Sequence, residues 1–437
     1  MNWTARITAL TILLLFSGVV RADELKPGDV LSKDNWELAK GLMPPEILRH
    51  YERGEYANKI IEWKNGMQRW PKGFVEGTEQ NAEALALDAK GNIVKKATGS
   101  LPDYICGFPF PNVSAGDPDA GLKILWNHYF YWWNNGNLRN YVEMVWISSS
   151  GVERMATQDV YFLYYHGQPR QYVPPQNPDD LLVQFLATTV TPADLNGTAS
   201  LAWRYRDPDK RDSVWTYVPA LRRVRAVSPT NRSDGFLGSD MSQDDGPFFD
   251  GKPQDFTWKL AGEQDVLRLM DPTSLEKVQR RVKLPDGGWR GLYTKIPMVG
   301  FEDPNWKGSP WAPLNFALAR RRVWIIEGVP KDGYYLFGKI ELYIDKETYH
   351  GAYNRKFDWN GNLVNSYAVF ADLNGDDDGD GDFYGAGTLA YQGAENLRLN
   401  RATVITAPKG GGDPPNDRRL QLAPEFFASQ SLVRFGK

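Results

Sequence analysis

Between Leu201 and Val218 the chain alternates as a β-strand pair does. Leu201, Trp203 and Tyr205 interleave with Ala202, Arg204 and Arg206, a period of two, which is the mark of a strand with one face buried. Asp207-Pro208-Asp209-Lys210 follows; proline presets φ and aspartate bonds its own backbone, so this is a turn. Val214, Thr216 and Val218 then interleave with Ser213, Trp215 and Tyr217. The stretch predicts an antiparallel hairpin with Trp and Tyr gathered on one face. Cross-strand aromatic pairs of that kind contribute ~0.2–1 kcal/mol each.

The same grammar recurs downstream. Ile340, Leu342 and Ile344 alternate with Lys339, Glu341, Tyr343 and Asp345, and Asn360-Gly361 suits a tight hairpin turn. With β-rich runs at 141–148, 160–166, 254–261, 322–328, 349–358 and 362–371, the chain reads as a meander of sequence-adjacent antiparallel strands. Residues 77–98 also read as strands, with a hairpin turning at Asp88-Ala89-Lys90-Gly91. Aromatics make up 13% of the residues, with 16 Trp. That suits β structure and either a large core or an aromatic-lined groove.

Helices are few. Asp117-Pro118-Asp119 opens the best one and Gly136 ends it. Leu122, Leu125, Trp126, Tyr129 and Trp133 recur along it at mostly helical spacing, and Ile124, Phe130 and Trp132 widen the apolar face. A helix this aromatic is covered, either as ordinary core or as a plug in a cavity. Shorter helices are expected after Pro44-Pro45, over Asp179–Thr188, and around Pro424-Glu425-Phe426-Phe427 near the C-terminus.

After the hairpin come Arg222, Arg223 and Arg225, then Arg232 and the acids Asp234, Asp240, Asp244 and Asp245. Two readings are open. The arginines are solvated charges that discourage edge pairing, or they pin a long loop over the sheet by ion pairs. Interleaved acids leave no basic face for nucleic acid.

The residues Trp215, Tyr217, Pro219, Ala220, Leu221, Arg222, Arg223, Val224 and Arg225, with Arg232-Ser233-Asp234-Gly235-Phe236-Leu237-Gly238 and Asp240, resemble the DUF1329 family of Gram-negative envelope proteins. That family is similar to the LolA/LolB-like lipoprotein-sorting fold. The resemblance implies a mainly β (α+β) protein: a strongly curved antiparallel sheet, an incomplete barrel covered by helices over an apolar cavity. It implies a lipid or other hydrophobic ligand, and an inner-membrane RND-type exporter and an outer-membrane protein as partners. It brings no catalytic residues.

Met1–Ala22 reads as a signal peptide: Arg6, an apolar run over 7–20, then Val20-Arg21-Ala22 as the cleavage rule. Cleavage removes Arg6 and Arg21 and no acid, so the formal charge of −3 becomes −5. The run is short for a membrane span, and no second one follows. A periplasmic chain is expected, with residues 23–437 as one domain carrying an N-terminal extension and a C-terminal closing segment. Cys106 is the single cysteine, so no internal disulfide forms, and its apolar setting marks a structural thiol.

Asp376, Asp378, Asp380 and Gly381 match the first half of an EF-hand loop, and Asp382 continues the acidic alternation of Asp372–Asp382. The twelfth position is Gly387, where a bidentate Glu is required, so a standard EF-hand is excluded. A Ca²⁺ clamp or a flexible acidic loop is left. Otherwise no cofactor is indicated. There is no Gly-x-Ser-x-Gly elbow, no His-Glu-x-x-His and no phosphate-binding glycine loop.

These features predict a non-catalytic periplasmic carrier. Its expected cavity wall is Trp126, Phe130, Trp133, Trp203, Tyr205, Trp215, Tyr217, Phe236 and Leu237, with Arg222, Arg223 and Arg225 meeting a headgroup or a partner. The alternative is an envelope glycan-binding protein or glycoside-acting enzyme with a carboxylate pair.

Overall fold

In the computed structural model the described residues are 24–228, 232–270, 281–291, 298–373, 387–409 and 414–436. Asp376, Asp378, Asp380 and Asp382, like residues 1–22, where a signal peptide is expected, lie outside them.

Thirteen strands of five or more residues form the frame of the eighteen-stranded main sheet. In chain order they are β1 Leu138–Ser148, β2 Gly151–Tyr164, β3 Leu181–Thr191, β4 Ala199–Tyr205, β5 Ser213–Val218, β6 Arg223–Val227, β7 Phe256–Met270, β8 Ala317–Pro330, β9 Lys339–Asp345, β10 Gly351–Phe357, β11 Leu363–Leu373, β12 Gly387–Asn396 and β13 Arg401–Thr406. Two meanders, β1 to β6 and β8 to β13, are joined by antiparallel pairing of β13 with β1, Arg401 opposite Ser148. β7 pairs with β8 along its whole length. The edges are therefore β7 and β6, and no ladder among the described residues closes one on the other. Short strands extend this frame. Asn58–Ile61 runs parallel to the start of β8, and Asn416–Arg418 pairs with the start of β1.

The sheet is strongly curved. β7 is four places from β11 in the ladder, yet the two pack against each other. Arg268 of β7 reaches the carbonyl of Gly351 on β10 at 3.1 Å. Inside the curve lies α3, Ala120–Trp133. Asp119 precedes it, and twelve of its fourteen residues are buried. It packs between Phe256, Trp258 and Ile326 on one side and Leu138, Tyr164 and Val183 on the other. Gly121 permits the close approach: a Cβ there would lie 2.7 Å from the backbone of Lys259. On the outer face α1, Pro45–Glu52, lays Ile47, Leu48 and Tyr51 against Val145, Val323 and Tyr353.

Two expectations are corrected. Residues 179–188 are not helical: Leu181–Thr191 is strand β3, paired on both sides. Its Val, Thr and Thr-rich apolar run is buried on both faces, which erases alternation. The strand reading of 77–98 holds only from Leu85. Lys72–Ala84 is helix α2, and the hairpin follows with Leu85 opposite Lys95. The C-terminal closing segment is two 3-10 turns, Pro424–Phe427 and Ser429–Gly436. No helix among the described residues is long and apolar enough to cross a membrane.

Candidate functional site

α3 fills only part of the concavity. Beside it a partly open cavity of about 170 Å³ remains between the inner face of β1–β4 and the loop 232–250. Alternation decides which residues face it. Leu138, Val142 and Met144 come from β1, Val160 and Phe162 from β2, Val183 and Phe185 from β3, and Ala202 from β4. The loop supplies the opposite wall with Phe236, Met241 and Pro247, and Trp132 of α3 closes one side. The lining surface is mostly apolar, as in ligand pockets, with three arginines, three aspartates and several amides set into it.

Buried ion pairs hold the loop in place. Arg204 bonds Asp212 at 3.0 Å and Asp250 at 3.1 Å. Arg232 bonds Asp212 at 2.8 Å and also Asp244, whose other oxygen accepts from Tyr335. Burial would raise the Asp212 carboxyl, but Arg204 and Arg232 outweigh it and hold it below the usual carboxylate range. At Asp250 burial prevails and the carboxyl is raised. Further along, Lys356 meets Asp245 at 2.5 Å, and Tyr367 donates to the same carboxylate at 2.6 Å. Asp240 accepts from Arg401 at 3.1 Å. Such pairs add little net stability once desolvation is counted, but they fix geometry by making any other placement costly.

The ion-pair reading of the loop therefore holds for Arg232 and not for Arg222, Arg223 or Arg225. Those three are exposed at the edge strand β6 and the turn before it.

The aromatic candidates divide by face. Phe236 lines the cavity, and Leu237 packs just behind it with Met144 and Trp146. Trp203, Tyr205, Trp215 and Tyr217 do not line it. They stand on the outer face of β4 and β5, covered by Phe427 and Leu432 of the C-terminal turns. Trp203 donates to the Phe427 carbonyl at 2.9 Å and meets Trp215 edge-on at 5.2 Å. The physical reason is simple: both faces of the hairpin are covered, so the more apolar face went to the packed interface. Trp126, Phe130 and Trp133 belong to the core around α3 and border a void of only about 20 Å³. Of the predicted wall only Phe236 lines the cavity; the lining residues missed from the sequence include the polar Gln158 and Arg204, on strands, and Asp212, in the hairpin connection. Alternation with the aromatics identifies Arg204 as sharing the opposite face, the one signal that was available.

Cys106 is partly buried, and burial pushes its thiol up. Among the described residues no group of three or more His, Cys, Asp or Glu is placed to hold a metal ion.

A sequence profile of the family described as "Protein of unknown function (DUF1329)" matches residues 30–432. Among solved structures, a domain named for outer-membrane lipoprotein sorting from Vibrio parahaemolyticus is similar, at 16% identity and TM-score 0.47, over 73% of this chain and 100% of its own. A DUF1329 family protein from Desulfovibrio piger is similar at 19% identity and TM-score 0.47, over 72% and 99%. A LolA superfamily protein from Nitrosomonas europaea is similar at 10% identity and TM-score 0.38, over 68% and 92%. No curated protein matches the chain.

Proposed function

The chain belongs to the DUF1329 family, and on that premise we propose that it is a non-catalytic carrier of a lipid or other hydrophobic molecule in the Gram-negative periplasm. The observation that carries this reading is the apolar cavity between β1–β4 and the 232–250 loop. It is concave, built on a rigid sheet, and walled on the second side by a loop that buried ion pairs hold in place. The cavity carboxylates Asp212, Asp245 and Asp250 are engaged by Arg204, Arg232 and Lys356, which supports binding over glycoside chemistry by a free acid pair.

The mature chain, cut after Ala22, receives cargo from an RND-type exporter and passes it towards an outer-membrane protein; this part of the proposal rests on the family resemblance. The carrier reading is tested by native mass spectrometry of mature protein purified without detergent, with solvent extraction of any adduct. A stoichiometric hydrophobic adduct is expected. An apo mass that takes up no added lipid or fatty alcohol would sink it.

A further inference from the structure

We infer that the cargo of this cavity is an amphiphile whose polar head is uncharged and hydrogen-bonding, seated at Gln158, rather than a carboxylate or phosphate. The inference rests on the carrier reading above and adds the chemical class of the ligand.

The first observation is Gln158. It stands on β2 in the cavity wall, between the apolar neighbours Ala156 and Val160 of the same face, and is 4% exposed. Among the described residues nothing hydrogen-bonds its side chain. A carboxamide offers two donors and an acceptor, and buried amides are ordinarily paired. An amide held in an apolar wall with all of these unused is placed for a ligand group that both gives and takes a hydrogen bond.

The second observation is independent and electrostatic. The arginines at one end of the cavity are already matched: Arg204 by Asp212 and Asp250, Arg232 by Asp212 and Asp244. Three carboxylates, Asp212, Asp245 and Asp250, line the wall. An anionic head entering there would have to displace a carboxylate from a buried arginine and then face those that remain, which the low local dielectric makes costly. The remaining lining cation, Arg418, is engaged as well: it donates to Asn140 Oδ1 at 2.6 Å and to the Asp417 carbonyl at 3.0 Å. A hydroxyl, ester or amide head meets none of these obstacles and satisfies Gln158.

The test compares two probes of one chain length, 1-decanol and decanoate, by isothermal titration calorimetry on the delipidated mature protein at pH 7.5. Decanol is expected to bind at least tenfold more tightly. Because any apolar cavity disfavours an anion, the variant Gln158→Leu supplies the discriminating readout. It should weaken decanol about tenfold while leaving the circular dichroism spectrum and melting temperature in place. Decanoate binding as tightly as decanol overturns the inference while leaving a hydrophobic carrier. Decanoate binding that is lost in Arg418→Gln also overturns it and places an anionic head at Arg418. Decanol binding unchanged in Gln158→Leu overturns the seat at Gln158. If neither probe binds, the carrier reading itself fails and takes the inference with it.

Discussion

Lys356 and Asp245 are the most deeply buried ion pair described here, with side chains 0% and 1% exposed. Lys356→Met removes the cation and leaves the Asp245 charge in the interior, a loss of ~3–5 kcal/mol. Chemical denaturation should show it, and the double variant with Asp245→Asn should recover a large part. His50 carries a second residue-scale prediction. It sits between Glu55 at 2.7 Å and Glu395 at 2.6 Å. Burial lowers its pKa, but the two carboxylates outweigh that and leave it above the ordinary 6.5. A raised folded-state pKa contributes stability that is complete below 6.5 and is lost as pH rises through the folded value. The other three histidines act in the opposite direction. Burial brings His128 down to about 4 and His166 to about 3, and burial with Arg268 lowers His350. Their contribution is present above 6.5 and is lost as pH falls. Melting temperatures of the wild type and of His50→Gln, taken from pH 5 to 9, separate the two effects. The difference between the proteins should be largest at the acid end and shrink as pH rises. A difference that grows with pH would refute the assignment. The acids of the loop were legible as ion-pair partners, but which cation each meets was not, because what distinguishes Arg204 from Arg206, or His50 from His166, is which distant chain segment arrives beside it.

At the scale of elements, the C-terminal turns are the lid of the hairpin that the sequence makes plainest. Phe427 and Leu432 are fully buried against the outer face of β2–β5. Phe427→Ala should cost ~3–5 kcal/mol, read as a fall in denaturation midpoint. Truncation before Pro424 should uncover Trp203, Trp215 and Tyr217, raise binding of an apolar dye and shift tryptophan emission to the red. An unchanged spectrum would mean the segment does not cover this face. The hairpin was legible because alternation survives wherever one face is distinctly more polar. β3 was not, because Leu181–Thr191 is apolar on both faces and its period is hidden. The start of α2 was missed for a different reason. Gly73 and Gly77 weaken its helical pattern, while Gly77 is kept small by the Cys106 carbonyl packed against it. Which face of β4 and β5 turns inward depends on what covers each face. That is a tertiary fact, decided by residues more than two hundred positions away.

For the whole molecule the question is why a sheet this wide leaves a cavity at all. A sheet framed by thirteen strands encloses more volume than one helix can fill, and α3 with its seven aromatic or heteroaromatic rings (Trp126, His128, Tyr129, Phe130, Tyr131, Trp132 and Trp133) occupies the side next to β7–β9. The other side is spanned by the 232–250 loop, which carries the second half of the motif, Arg232 to Asp240. The loop is held over the sheet floor by anchors set around the gap: Asp240 to Arg401 of β13, Asp245 to Lys356 of β10, and Arg232 to Asp212. Charged anchors of this kind resist collapse onto the apolar wall, since closing the gap would strand them without partners. The gap is thus a consequence of how the loop is tethered, and filling it from the floor should leave the fold intact. Ala202 of β4 lines the cavity, whereas Ala226 of β6 is exposed at the sheet edge. Ala202→Phe projects a ring into the gap and should abolish ligand uptake in native mass spectrometry while moving the melting temperature little. Ala226→Phe, adding the same ring outside, should leave uptake unchanged. Equal uptake by both variants would mean that cargo binds elsewhere on the molecule. A large loss of stability in Ala202→Phe would show instead that the gap is smaller and more tightly packed than its 170 Å³ implies.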